Sequence, residues 1–251
     1  MTAPVVSIIT PSYKSKKYIG STIESVLNQT FSDFEMLIVD DCSPDGSADF
    51  IETILPDERF KLVRLEKNVG AAEARNHALR NAKGRYIAFL DSDDMWKKNK
   101  LEVQVAFMQA NNCAFSYTDY EVCSDNGTEI YGSIKVPKTL TYNQYLGNTI
   151  IGCLTVMLDS EKLPSIQMPN LRSSHDMALW ADLLKTIDKA EGINDTLASY
   201  RLVDTSNTAN KWKASKEVWA VYRNHLNLSI IKSSYYFIQY VFNALKKRMY
   251  K

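Results

Sequence analysis

The chain has 251 residues, 24% of them charged and a net charge of +1, so it is long enough for a full core and carries no overall field to recruit nucleic acid. Its four cysteines and three histidines lack metal-ligand spacing, which argues against a zinc module and fits reduced cysteines in a cytoplasmic protein. No apolar run approaches the ~20 residues that span a bilayer, and the N-terminus lacks a signal-peptide pattern.

Residues 5–10 are a β-branched strand that Pro11 is expected to stop. Ile19, Ile23, Val26 and Leu27 recur at helical spacing over 18–29. A second strand, 36–39, ends in Asp40 and Asp41. Asp45, Gly46 and Ser47 form a turn and helix start, leading through Phe50, Ile51 and Ile54. Residues 60–65 alternate as a third strand, 71–81 form an alanine-rich helix carrying Arg75, and 86–90 are the fourth strand. The spacing then predicts a helix over 100–111, a strand near 114–118 and a polar loop at 124–127. An apolar segment at 149–158, a helix over 175–185 and a final strand over 195–201 follow. Residues 202–216 read as a polar, mobile stretch. Strands alternating with helices of this length predict an α/β fold with a doubly wound, mainly parallel sheet and a C-terminal helical tail.

The fourth strand ends in three carboxylates within four residues, Asp91, Asp93 and Asp94. Repulsion and desolvation both oppose such a cluster, whereas a hard divalent cation, Mn2+ or Mg2+, relieves it. Cations held this way commonly carry a phosphorylated substrate. Ser12 and Tyr13, Asp40 and Asp41, and Asp91 to Asp94 each follow the C-terminal end of a strand. In open α/β sheets that is where ligands bind, at the switch in strand order.

These residues resemble family 2 glycosyltransferases of the GT-A fold, and more narrowly the bacterial enzymes of O-antigen, capsule and teichuronic acid synthesis. The matching elements are VSIITPSY at 6–13, SVLNQTF at 25–31, IVDDCS at 38–43, NVGAAEARN at 68–76 and FLDSDDMW at 89–96. MPNLR at 168–172, HDMALW at 175–180 and Tyr200-Arg201 continue the series in the family's order. The resemblance implies transfer of a sugar, with inversion, from a nucleotide-diphosphate sugar, most simply a UDP-sugar, to a hydroxyl of a glycan or polyprenyl-linked glycan. It places Pro11 and Tyr13 in the base pocket, Asp41 on the base and Arg75 at the nucleotide end. Asp91, Ser92 and Asp93 form the DxD element, with Asp93 and Asp91 on the metal, and Asp176 is the general base. Residues 1–97 would bind the nucleotide and 98–215 the acceptor, with 216–251 a helical extension. Relatives often carry Glu or Gln where this chain has His175. The segment 204–213 resembles a loop that closes over the donor, bringing Arg201 or Lys211 to the phosphates.

Other readings of the same residues stay open. Asp176 also suits a helix N-cap, and Asp40 a purely structural role. The aromatic segment 234–245, followed by Lys246, Lys247 and Arg248, suits a bilayer interface at the inner face of the cytoplasmic membrane. It equally suits a helix packed on the domain or on the partner of a homodimer. A sugar-phosphate nucleotidyltransferase lacks its glycine-rich loop here. A non-catalytic nucleotide- or glycan-binding relative would not need intact Asp91, Asp93 and Asp176.

Overall fold

The computed structural model describes residues 3–203 and 211–249. Strand β1 (Val6–Ser12), helix α1 (Ile19–Leu27), β2 (Phe34–Asp40), α2 (Ser47–Ile54), β3 (Phe60–Arg64), α3 (Ala71–Asn81) and β4 (Tyr86–Phe89) alternate as expected. They are followed by β5 (Met95–Trp96), α4 (Lys100–Ala110), β6 (Phe115–Cys123), β7 (Ile130–Ile134), β8 (Thr139–Leu140) and α5 (Tyr142–Gly147). A 3-10 turn (Cys153–Thr155), β9 (Met157–Asp159), α6 (His175–Leu184) and β10 (Ala190–Arg201) lead to α7 (Lys211–Ala220), a π-helical turn (Val221–His225) and α8 (Ile230–Met249).

The strands form one mixed, mainly parallel sheet in the order β3-β2-β1-β4-β9-β6-β10-β5, with β7 beside β6 and β8 beside β10. β1 to β4 pair in parallel, as do β6 and β10, and the short β9 bridges the two groups antiparallel to both. Alternate residues face opposite ways, so one strand supplies two cores. Ile9, Leu37, Val39, Ile87 and Phe89 pack with α3, α5 and α6 on one face. Ile8, Met36, Ile38, Tyr86 and Ala88 pack with α1, α2 and α4 on the other. Both sides of the sheet are therefore dry, which explains why these strands read as continuous apolar runs.

Strand order reverses between β1 and β4, which opens a crevice beyond their C-terminal ends. β1 runs through Pro11 instead of stopping there, with Pro11 opposite Val39 of β2. Proline lacks an N–H, and Pro11 faces the same side as Ile9, whose carbonyl accepts the last β4 bond from Leu90 N–H at 3.1 Å. The missing donor thus falls where β4 has already departed.

Three other expectations are corrected. β6 continues past Thr118 because Asp119, fully buried, accepts from the Val136 amide at 2.8 Å and pairs with Lys135 at 2.9 Å. β10 starts at Ala190, with register shifts on either side of Thr196 absorbing the polar Asn194 and Asp195. Residues 211–216 belong to α7, while 204–210, most of the expected donor-closing loop, lie outside the described residues.

Candidate active site

Each strand end contributes one rim of the crevice. After β1, Tyr13 is 46% exposed, and Ser12 contacts Ser15 at 2.7 Å. After β2, both acids are buried and satisfied by the protein. Asp40 accepts from the Ser43 amide and hydroxyl at 2.9 and 2.7 Å and from the Ser12 hydroxyl at 3.3 Å. Asp41 accepts from the amides of Val69 and Gly70 at 2.7 and 2.8 Å, which holds the loop leading into α3. Gly70 has φ 89° and ψ 157°, a conformation that a side chain would strain.

After β4, residues 91–94 make a turn closed by Asp94 N–H to the Asp91 carbonyl at 3.1 Å. The backbone of this turn is pinned from outside. The Thr22 hydroxyl is shared between the carbonyls of Ser92 and Asp94 at 3.0 and 2.8 Å. Arg201 donates from Nε to the Asp93 carbonyl at 2.7 Å, from Nη1 to the Asp125 carbonyl at 2.7 Å and from Nη2 to Ser21 at 2.8 Å. Its amide donates to Asp94 Oδ1 at 2.9 Å. Arg201 is therefore a strut behind the acid turn, each of its guanidinium nitrogens donating to a described partner. Of Lys211, the other cation expected to reach phosphates, the side chain lies outside the description.

The Asp93 carboxylate accepts no hydrogen bond from another described side chain or backbone. Burial, and then the Asp91 charge, push its pKa up to about 6 against the opposing pull of Arg201 and Arg75. Asp94 is buried, and burial with Asp93 and Asp91 raises its carboxyl well above the ordinary range. Among the described residues no group of three or more His, Cys, Asp or Glu is arranged to hold a metal alone. Two neighbouring carboxylates fit a cation that brings its remaining ligands as water and substrate phosphate, the usual manner of Mg2+.

Arg75 projects from α3 into this cluster and is 5% exposed. One Nη meets Asp91 as an ion pair, and the other lies 2.7 Å from His175 Nε2. Burial opposes the guanidinium charge, but Asp91, together with Cys153 and Asp176, outweighs it and raises the pKa. Asp176 follows His175 in the first turn of α6, where a carboxylate is favoured by the helix dipole. It is not the N-cap, a position held by Ser174, and it accepts no hydrogen bond among the described residues. It is close enough to raise the pKa of Arg75, Tyr145 and Cys153. Trp180 locks α6 onto the sheet between Phe89 and Phe115, with ring centroids 5.3 and 5.4 Å away. Each such aromatic contact contributes about 0.5–1.5 kcal/mol beyond its buried area.

Asp91, Arg75 and Asp176 thus share one cluster, with Asp93 in the same turn as Asp91. Pro11, Tyr13 and Asp41 lie at the adjoining ends of β1 and β2. Thr22, the strut role of Arg201 and the His175–Arg75 contact were missed in sequence, since none has a local spacing signal. A backbone signal marks the same rim: Lys14, Cys42 and Ser174 have φ of 53°, 58° and 55° without being glycine or asparagine. A groove of about 630 Å3 by Val5, Lys83 and Arg85 lies at the opposite ends of β1 and β4 and holds none of these residues.

The chain matches the sequence profile of Glycosyl transferase family 2 over residues 7–159. It is 52% identical over 247 residues to the putative teichuronic acid biosynthesis glycosyltransferase TuaG of Bacillus subtilis (strain 168), covering 98% of both chains. It is 40% identical over 247 residues to the UDP-Glc:alpha-D-GlcNAc-diphosphoundecaprenol beta-1,3-glucosyltransferase WfgD of Escherichia coli, covering 98% of this chain and 96% of that one. Two solved structures share the fold. S. aureus TarS 1-349 in complex with UDP-GlcNAc superposes with a TM-score of 0.71 at 23% identity, over 87% of this chain and 66% of that one, slightly under two thirds of its length. The mannosyltransferase PcManGT from Pyrobaculum calidifontis, in complex with GDP-Man and Mn2+, gives 0.73 at 17% identity, over 94% of this chain and 70% of that one.

Proposed function

The chain belongs to glycosyl transferase family 2, and we propose that it moves a sugar, with inversion, from a UDP-sugar to a hydroxyl of a glycan or polyprenyl-linked glycan in surface-polysaccharide synthesis. The observation that carries the site is the acid turn at the switch in strand order, in which Asp93 has no described partner and Asp91 pairs with Arg75, with Asp176 beside it. The UDP donor and the lipid-linked acceptor are supported by what WfgD is named for, and UDP also by the nucleotide in TarS.

In this reading residues 1–97 bind the donor and 98–215 the acceptor, with 216–251 a helical extension; α7 crosses that last boundary. Pro11 and Tyr13 line the base pocket, the exposed Tyr13 ring stacking on the pyrimidine. Asp41 presents to the base the lone pairs not used on Val69 and Gly70. Asp93 and Asp91 would hold Mn2+ or Mg2+ at the turn that contains Ser92, and such an ion supplies charge neutralisation to the departing diphosphate. Asp176 takes the proton of the acceptor hydroxyl as that oxygen bonds to the anomeric carbon and the bond to the diphosphate breaks from the opposite face. Arg75 holds Asp91 in place and adds positive charge near the leaving group.

Thermal stabilisation by UDP, GDP, dTDP and CMP, with and without Mn2+, tests the donor site. At about a hundred times its dissociation constant a ligand adds roughly 2.7 kcal/mol. Manganese-dependent stabilisation by UDP, lost in Asp93→Ala, is expected. No shift with any nucleotide would leave a non-catalytic relative as the better reading.

We also propose that α8 rests on an anionic lipid surface at the inner face of the cytoplasmic membrane. Ile231, Tyr235, Ile238, Phe242 and Leu245 recur at helical spacing and are all exposed, while the opposite face packs inward through Tyr236 and Tyr240. Residues 230–251 include five Lys or Arg and no acid, so a second copy would bring like charges together, whereas lipid phosphates complement them. Among the described residues no helix is long and apolar enough to cross a membrane. Replacing Ile238 and Phe242 by serine should release the protein from vesicles containing anionic lipid. Unchanged co-sedimentation would remove the idea, and a dimer that these changes split would assign the face to self-association instead.

A further inference from the structure

We infer that His175 is a positioning residue: by accepting from Arg75 through Nε2 it holds the guanidinium against Asp91 and ties the acid turn after β4 to the start of α6, where Asp176 stands. The inference deepens the transfer reading and rests on it for its catalytic meaning. The hydrogen bond itself stands on geometry alone.

The chemistry of the contact leaves one arrangement. A guanidinium only donates, so the nitrogen 2.7 Å from Arg75 Nη1 must offer a lone pair. His175 Nε2 is then unprotonated, and the single proton of the neutral ring sits on Nδ1. Burial lowers the imidazole pKa and the Arg75 charge lowers it further, against Asp176, Asp91 and the Leu171 backbone. A cationic ring would set two positive groups in contact where both residues are more than nine-tenths buried. His175 therefore does not compete with Asp176 as a base, and its contribution is geometric.

Arg75 needs such a partner. Among the described residues its Nε is buried without a hydrogen bond, and Nη1 has no other acceptor than the Ala71 carbonyl at 3.5 Å. The guanidinium plane is thus set at its ends, by Asp91 and by His175. Removing the imidazole leaves the Asp91 end as a pivot, and the charge beside the diphosphate site loses its fixed direction. His175 is itself placed by Ser174, whose φ of 55° turns the chain into α6 and whose carbonyl accepts from Ala178 N–H at 3.0 Å.

Nitrogen-15 NMR of the imidazoles in the full chain tests the bond directly. The His175 signals are those absent from His175→Gln. At neutral pH they should report a neutral ring protonated on Nδ1; an Nε2–H tautomer or a cationic ring would overturn the inference. Kinetics test the role. His175→Leu removes the acceptor and should lower kcat by about 10²-fold, the scale of a misplaced group, with acceptor KM little changed. His175→Gln keeps an acceptor oxygen and should recover most of that loss. Equal losses in the two variants, or lost thermal stability with kcat intact, would reduce His175 to packing. If the wild type transfers no sugar, the transfer reading fails while the NMR result still decides the bond.

Discussion

The sheet carries two pairs of acids at neighbouring strand ends, and the protein treats them in opposite ways. Asp40 and Asp41 after β2 have every carboxylate oxygen bonded to amides or hydroxyls of the chain. After β4, among the described residues, the Asp91 carboxylate meets only the Arg75 guanidinium, and Asp93 accepts nothing from another residue while its pKa is pushed up to about 6. The first pair is bonded into the fold, with Asp41 keeping its remaining lone pairs for the base in the proposed reading, whereas the second pair takes little from the fold. Identical residue types in similar sequence settings therefore separate by whether the fold satisfies them. An unsatisfied, partly desolvated acid is the one that marks a site.

Asp176 extends the comparison and gives the largest expected effect. It stands with the unsatisfied acids, so it should matter to chemistry and little to stability. Asp176→Asn should cut transfer by about 10²–10⁴-fold, the usual worth of a general base, while leaving UDP-dependent stabilisation and the melting temperature near wild type. Retained transfer would place the base elsewhere and group Asp176 with the structural acids.

The difference between the acid pairs was only partly legible in the sequence. Alternation of strands and helices, the strand-end position of each acid and the crevice they share all follow from local periodicity. Satisfaction does not, because the donors come from far along the chain: Val69 and Gly70 for Asp41, and Arg201 for the turn at Asp93 and Asp94. The second half was harder to read for a related reason. β6 holds a buried acid, Asp119, whose partners Lys135 and Val136 lie beyond an intervening hairpin, so a polar residue looked like a strand end. One missed element did have a local sign. Thr141 and Gln144 form the capping box that starts α5, a pattern visible as T-x-x-Q.

A smaller effect separates the two pairs by stability. Asp41→Ala orphans the amides of Val69 and Gly70, and a buried unsatisfied donor costs about 1–3 kcal/mol. Urea denaturation should show a loss of that order for Asp41→Ala with an unchanged m-value, and no comparable loss for Asp93→Ala. A similar cost for both would mean that the acids after β4 are also built into the fold, and the contrast between the pairs would collapse.

The smallest effect is the most direct reading of the open acid. Asp93 has its pKa raised from 3.8 to about 6, so between those values the folded chain binds its proton more tightly than the unfolded chain does. Stability from this group is present below pH 3.8 and is lost as pH rises toward 6. Asp94 shifts in the same direction, whereas the lowered carboxyls of Glu35, Asp57 and Glu73 act in the opposite sense. The readout is therefore the difference between wild type and Asp93→Asn, not the raw profile. Asparagine stays neutral, so the variant should gain melting temperature relative to wild type as pH rises from 4 to 6, and the gain should level off above 6. Adding Mn2+ with UDP above pH 6 should then favour the wild type, because the ionised carboxylate has found the partner that the fold withholds. Parallel profiles for the two proteins would show that Asp93 ionises without penalty, and the distinction between satisfied and open acids would lose its electrostatic basis.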